Sequence, residues 1–251
     1  MKTEKNMILI VDTETTGLDP ANHVITEIGW ILWNQSEDRI VSVQSFRVSQ
    51  PTITREQYDL DAENTSQIHF NDLPMGLNLP EALKMLRADL DVSDGILGHN
   101  IGFDLGFLKI PTEGKFIVDT RTALPLPAGL KARSLEAITN FHNVRKPFGS
   151  HRAILDVLSL LQVVRNYDWQ LIEARAKSPV VIVQAILSYD EMQALPDDKK
   201  PKAFRFLWLP KQKVWEHHVL ECDLEEQFYP FQTRIIRMQH EPKLQSSGSL
   251  F

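Results

Sequence analysis

Residues 7–12, Met-Ile-Leu-Ile-Val-Asp, constrain the fold more than any other stretch of the chain. Five apolar residues in a row, ended by a carboxylate, suit a central strand buried on both faces. A secretory h-region takes roughly 7–15 apolar residues and a membrane-spanning helix about 20, so the run suits neither. The chain is therefore expected to be soluble, unprocessed and cytoplasmic, with no membrane partner. Asp12 and Glu14 stand two apart at the polar end of this strand, so both side chains point to one face. Two carboxylates held about 5–7 Å apart are costly unless something cationic joins them. Thr15-Thr16-Gly17 follows, and with it the pair also fits a plain capped, solvated turn.

The neighbouring segments extend this strand into a sheet. Residues 24–33 are β-rich and residues 39–48 alternate, with a polar turn between them, which predicts a three-strand meander. Residues 60–70 and 79–90 read as helices, the second with Leu79, Leu83, Leu86 and Leu90 on one stripe and Pro80 in its first turn. Next come a strand over 95–99, a short helix over 102–109 entered through Gly102, a strand over 115–119, and helices over 134–142 and 151–165. Strands first, then strands interleaved with helices, is an α/β pattern.

The composition changes near residues 174–179. This predicts one domain over residues 1–175, a small β-rich α+β module over 179–240, and a loose tail over 241–251. Within the module, strands are expected over 180–187, 204–209, 214–219 and 234–238, the middle two joined by a Pro210-Lys-Gln-Lys213 hairpin. Phe204, Phe206, Trp208 and Trp215 alternate along these segments beside Lys211 and Lys213. They make either a stacking platform for single-stranded nucleic acid or the core of the small sheet.

Charge limits what the chain can bind unaided. It carries 27 basic and 33 acidic residues, a net charge of −6. Up to Ala176 there are 17 basic and 23 acidic residues, and beyond it 10 of each, so the excess of negative charge lies in the first domain. Binding of nucleic acid through bulk positive charge is thereby excluded. An acidic protein can still act on a polyanion when divalent cations stand between its carboxylates and the phosphates. The single cysteine, Cys222, rules out an internal disulfide and a thiolate zinc cluster, and fits a reducing compartment.

Further carboxylates complete the set. Asp104 sits in His99-Asn-Ile-Gly-Phe-Asp104, where the first turn of a helix favours an acid for its dipole alone. His151 and Asp156 are five apart, about 140° around a helix. His151 thus belongs to the loop or cap end and Asp156 to the helix body. A histidine at such an entrance suits a general base that swings in with its substrate.

Taken in order, these segments resemble the DnaQ-like, DEDDh exonuclease superfamily, to which the polymerase III proofreading subunit and exonuclease X belong. Asp12-Thr-Glu14-Thr-Thr-Gly-Leu-Asp19 is similar to its first motif, Gly98-His-Asn-Ile-Gly-Phe-Asp104 to its second, and His151-Arg-Ala-Ile-Leu-Asp156 to its third. Ile68-His69 and Val118-Asp-Thr120 resemble two further family segments, and the likeness covers about residues 5–170.

The resemblance implies a ribonuclease H-like fold, a mixed five-stranded sheet flanked by helices. It also implies a magnesium- or manganese-dependent 3′→5′ exonuclease releasing nucleoside 5′-monophosphates. Asp12, Glu14, Asp104 and Asp156 would hold two divalent cations, Mg²⁺ or Mn²⁺, and His151 would be the general base. Thr15, Gly17, Leu18, His69, Asn100 and Phe103 would bind the last nucleotides. The Thr-Glu-Thr-Thr-Gly form of the first motif is closer to DNA-directed proofreading and repair members, which favours DNA 3′ ends over RNA. An RNA-directed exoribonuclease, or a silent homologue that binds nucleic acid or a polymerase, is the alternative. A polymerase or repair partner could dock on the C-terminal module.

Overall fold

The first apolar run forms the centre of a sheet. In the computed structural model, which describes residues 6–127, 130, 132–144 and 151–237, strand β1 (Met7–Thr15) buries Ile8 to Val11 completely. On one side it pairs antiparallel with β2 (Ile25–Asn34), which pairs in turn with β3 (Arg39–Arg47). On the other side it runs parallel to β4 (Gly95–Gly98), and β4 runs parallel to β5 (Phe116–Asp119). The order β3-β2-β1-β4-β5 is the mixed five-stranded sheet expected. β3 alternates between exposed and partly buried residues, as an edge strand does, whereas β2 is buried at every position.

Alternation along β1 splits the core into two layers. Leu9, Val11, Ile28, Trp30 and Ile96 pack against α2 (Leu79–Asp91) and α3 (Ile101–Leu108). Ile8, Ile10, Ile31 and Leu97 face α4 (Thr120–Ala123), α5 (Leu135–Phe141), α6 (Ala153–Val164) and α7 (Trp169–Lys177). A further helix, α1 (Leu60–Ser66), packs no long stripe; Ser66 is its one buried residue. Of the expected α2 stripe Leu86 and Leu90 are fully buried and Leu79 and Leu83 partly, Ala82 joins the buried face, and Asn78 caps the helix by accepting the Glu81 N–H at 3.0 Å.

Several boundaries differ from the sequence reading, each for a local reason. β1 runs three residues past Asp12, because Thr13, Glu14 and Thr15 continue the pairing with β2 through a bulge. The helix expected over 60–70 stops at Ser66, where Gln67 turns left-handed (φ 57°) and its N–H bonds back to Glu63. α3 is entered through Asn100 (φ 69°), not through Gly102. The helix α7 was not anticipated.

The chain divides into two compact units, the first running to Ala176 and the second beginning at Lys177. The second is an antiparallel sheet in the order β7-β8-β6-β9. Its strands are β6 (Val180–Ala185), β7 (Leu207–Leu209), β8 (Val214–Leu220) and β9 (Thr233–Arg237), with helix α8 (Tyr189–Ala194) after β6. The strand expected over 204–209 starts only at Leu207. Phe204 closes a 3-10 turn and Arg205 is left-handed (φ 64°), which breaks the extended run. Phe206, 1% exposed, lies in the small core with Val181, Val183 and Val219, and Phe204 and Trp215 pack on it. Trp208 alone of the four aromatics is open, 44% exposed, with its ring 5.5 Å from Trp215. A row of four stacking aromatics is therefore not present. The tail expected over 241–251 lies outside the described residues. Among the described residues no helix is long and apolar enough to cross a membrane.

Candidate active site

Residues of β1 alternate between faces, so Asp12 and Glu14 share the face of Ile8 and Ile10, against which α6 packs. Their partners across β2 are Gly29 and Glu27. Gly29 is required there: a Cβ would fall 2.4 Å from the Ile154 nitrogen and 2.6 Å from the Ala153 carbonyl carbon. The first turn of α6 thus rests directly on the backbone of β2. Asp156, buried in that turn, is brought beside the strand pair. One carboxylate oxygen from each of Asp12, Glu14 and Asp156 lies within 4.8 Å of the others.

Asp104 reaches the same strand from α3. Its Oδ1 accepts both the Thr13 N–H and the Thr13 hydroxyl, each at 2.8 Å. Thr13 is the residue between Asp12 and Glu14, so Asp104 is tied to the strand that carries them.

This gathering of acids has an electrostatic cost. Burial, then the charges of Asp104, Glu14, Asp156 and Glu27, hold the Asp12 carboxyl well above the usual carboxylate range. Burial, then Asp156, Glu27 and Asp104, push Glu14 up to about 8, against a small opposing pull from Arg152. Asp104 is raised to about 7 by burial, although the bonds from Thr13 act the other way. At neutral pH the cluster must be relieved by protons or by cations. An all-oxygen, multiply anionic donor set is the chemistry that hard divalent ions prefer, so the residues present fit Mg²⁺ or Mn²⁺.

His151 lies outside α6, two residues before its first turn, in a left-handed conformation (φ 67°). It therefore sits on the loop side of the entrance, as the five-residue spacing from Asp156 suggested. The next residue, Arg152, forms a forked ion pair with Glu27: Nε donates to Oε2 at 2.9 Å and Nη2 to Oε1 at 2.5 Å.

The other expected residues fall into two groups. Thr15, Gly17 and Leu18 form the turn leaving β1. The Thr15 hydroxyl donates to the Gly17 carbonyl at 2.7 Å, and Leu18 is 67% exposed. Asn100 and Phe103 open α3. Asn100 donates its N–H to Asp119 at 3.0 Å and accepts from Arg121 Nη1 at 3.0 Å, while Phe103 packs 5.0 Å from Phe107. Outside both groups in sequence, His69 lies on the loop after α1, with Glu63 as its charged neighbour at 3.9 Å.

Sequence reasoning gave no role to Glu27, Arg152 or Thr13, and placed Asp119 only within a segment of family likeness. Glu27 had a readable signal: it is a lone charge inside the apolar run 24–33, where a buried strand tolerates a carboxylate only with a partner. Asp119 is also raised by burial, and accepts N–H bonds from Asn100 and Arg121. Its bond to the left-handed Asn100 spans 19 positions and is visible only in three dimensions.

All three acidic segments fall within residues 9–164, the stretch that matches the RNase T exonuclease family model. The chain belongs to that exonuclease family. Among solved structures, it is similar to Escherichia coli exonuclease I in complex with a dA16 oligonucleotide. The identity is 16% and the TM-score 0.57, over 72% of this chain and 48% of that one. It is similar also to exonuclease X in complex with 5′-overhanging duplex DNA, at 21% identity and a TM-score of 0.51, covering 68% and 99%. The nuclease domain of 3′hExo, a DEDDh family member bound to rAMP, matches at 16% identity and a TM-score of 0.54, covering 66% and 93%. At these identities the likeness is one of fold. The chain spans about half the length of the exonuclease I that it resembles. No curated protein matches it in sequence.

Proposed function

We propose that this family member is a metal-dependent 3′→5′ exonuclease that removes nucleoside 5′-monophosphates from nucleic acid, with single-stranded DNA its favoured substrate. The observation that carries this reading is the convergence of Asp12, Glu14 and Asp156 within 4.8 Å, with Asp104 bonded to the intervening Thr13. A cluster so short of positive charge suits a phosphodiester substrate only when cations mediate.

Asp12, Glu14, Asp104 and Asp156 would hold two divalent ions. Such ions, when bound, neutralise phosphate charge, lower the pKa of an attacking water and stabilise a leaving oxygen. The chain's own residues supply the remainder. His151, at the hinge before α6, accepts the proton of the attacking water. Leu18, exposed on the turn after β1, presents an apolar surface to the terminal sugar and base, which the backbone amides of Thr15 and Gly17 help to place. Asn100 and Phe103 meet the next nucleotide, Phe103 as a stacking surface, and His69 contacts the terminal phosphate or base.

Preference for DNA is supported by the form of the first motif. It is supported also by two relatives, exonuclease I and exonuclease X, solved with DNA. The rAMP-bound relative favours an RNA reading as the alternative. The test is a paired digestion of 5′-labelled single-stranded DNA and RNA of equal sequence, with Mg²⁺, Mn²⁺ or EDTA, beside His151→Ala. The expected result is a metal-dependent ladder shortening from the 3′ end, faster on DNA and lost in the variant. No cleavage of either polymer with any metal would leave a binding homologue.

A further inference from the structure

Glu27 is the most deeply buried acid near the site, 1% exposed, and none of the steps above uses it. On β2 it stands opposite Glu14 and two residues from Gly29, on the face that receives α6. It takes three hydrogen bonds from one short segment: two from the Arg152 guanidinium, and one from the Ala153 N–H at 3.1 Å. Ala153 is the first residue of α6, and Arg152 offers that helix no side-chain cap. Glu27 therefore acts as a cap supplied from a strand 126 positions away. It holds the residue that follows His151 by its side chain, and the next backbone N–H as well. A non-glycine residue at φ 67° keeps that conformation only when its surroundings hold it. In a hinge, the side chain's reach is set by where its anchored end points.

We propose that the Glu27–Arg152 ion pair is a positioning device for the general base, setting the backbone hinge from which His151 enters the site. The proposal rests on the reading of His151 as that base. Arg152 suits the task better than lysine would, because its planar fork takes both carboxylate oxygens at once. Glu27 touches no reacting atom and acts through its neighbour, and small misplacements of a catalytic group are costly in rate.

The test is a double-mutant cycle on the full chain, with 5′-labelled single-stranded DNA and saturating Mg²⁺. Glu27→Gln keeps the shape but loses the charge and the fork. It should lower kcat about tenfold with KM within about twofold, and leave the Mg²⁺ concentration for half-maximal rate unchanged. In a His151→Ala background the same change should cost less than about twofold, since the group it positions is gone. Arg152→Lys, at a half-exposed side chain, should lower kcat about threefold with the same dependence on His151, and carries the test if Glu27→Gln does not fold. A full loss persisting in the His151→Ala background, or a tenfold rise in the Mg²⁺ requirement, would overturn the proposal in favour of a role through Asp156. Full activity in His151→Ala alone would instead remove the general-base reading beneath it.

Discussion

Both sheets of this protein bury polar groups on a central strand, and they treat them differently. In the second unit, Gln184 on β6 donates from Nε2 to Glu216 at 2.6 Å and accepts at Oε1 from Arg234 Nε at 2.7 Å. Donor, acceptor and opposite charges are all drawn from adjacent strands. In the first unit, Asp12 and Glu14 on β1 have carboxylates for company, and the pull of Arg152 on Glu14 is outweighed. A self-contained polar network rigidifies a sheet, whereas an uncompensated one is a site that something from outside must complete. That contrast marks the acids of the first unit as the groups that a cation would relieve.

The sharpest way to break the contrast is to remove a member of the uncompensated set. Asp12→Ala should lower exonuclease activity by about a thousandfold or more, as measured by ladder formation at saturating Mg²⁺, while far-UV circular dichroism stays unchanged. The same variant in EDTA should melt no lower than the parent, because it also removes mutual repulsion. A drop in melting temperature would mean that Asp12 is a structural acid after all.

A second test uses protons in place of metal. Folding raises Glu14 to about 8 and Asp104 to about 7, from ordinary values of 4.5 and 3.8. The folded chain therefore binds more protons than the unfolded chain between those limits. The contribution of these groups to stability is full below about pH 4 and is lost as the pH rises to about 8. In EDTA the first unit should melt at progressively lower temperature from pH 5 to pH 8. Added Mg²⁺ should restore the loss, by an amount that grows with pH and reaches several degrees. A melting temperature independent of both would contradict the account.

Two smaller effects sharpen the picture. Leu18→Ala should raise KM for single-stranded DNA about three- to tenfold and leave kcat nearly unchanged, since it removes an exposed apolar contact rather than a reacting group. Gln184→Ala should lower the stability of the second unit by about 1–3 kcal/mol in urea titration, with no change in cleavage rate at saturating DNA.

How much of this could be read in advance depended on the range of the forces involved. The meander and α2 were legible because alternation and the Leu86–Leu90 stripe are local patterns. The acidic positions could be picked out as motifs, but not the geometry that assembles them. The Gly29 contact joins β2 to α6, and Glu27 bonds residues 125 and 126 positions away. The C-terminal end of α1 and the start of β7 differ from the sequence reading because Gln67 and Arg205 are left-handed without being glycine. Helix α7 escaped notice because its buried face, Trp169, Ile172 and Arg175, includes a cation whose Nε donates to the Ala123 carbonyl at 2.9 Å. Such a face does not read as apolar.

The position of α6 in the chain also has a consequence for biosynthesis. The last strand of the first sheet ends at Asp119, yet Asp156 and the cap on Ala153 arrive with a helix that ends at Val164. At 5–20 residues per second, roughly 2–9 s of translation separate a complete sheet from a complete acid cluster. On the proposed reading of that cluster, the nascent chain acquires its cutting site only after its five strands have been made.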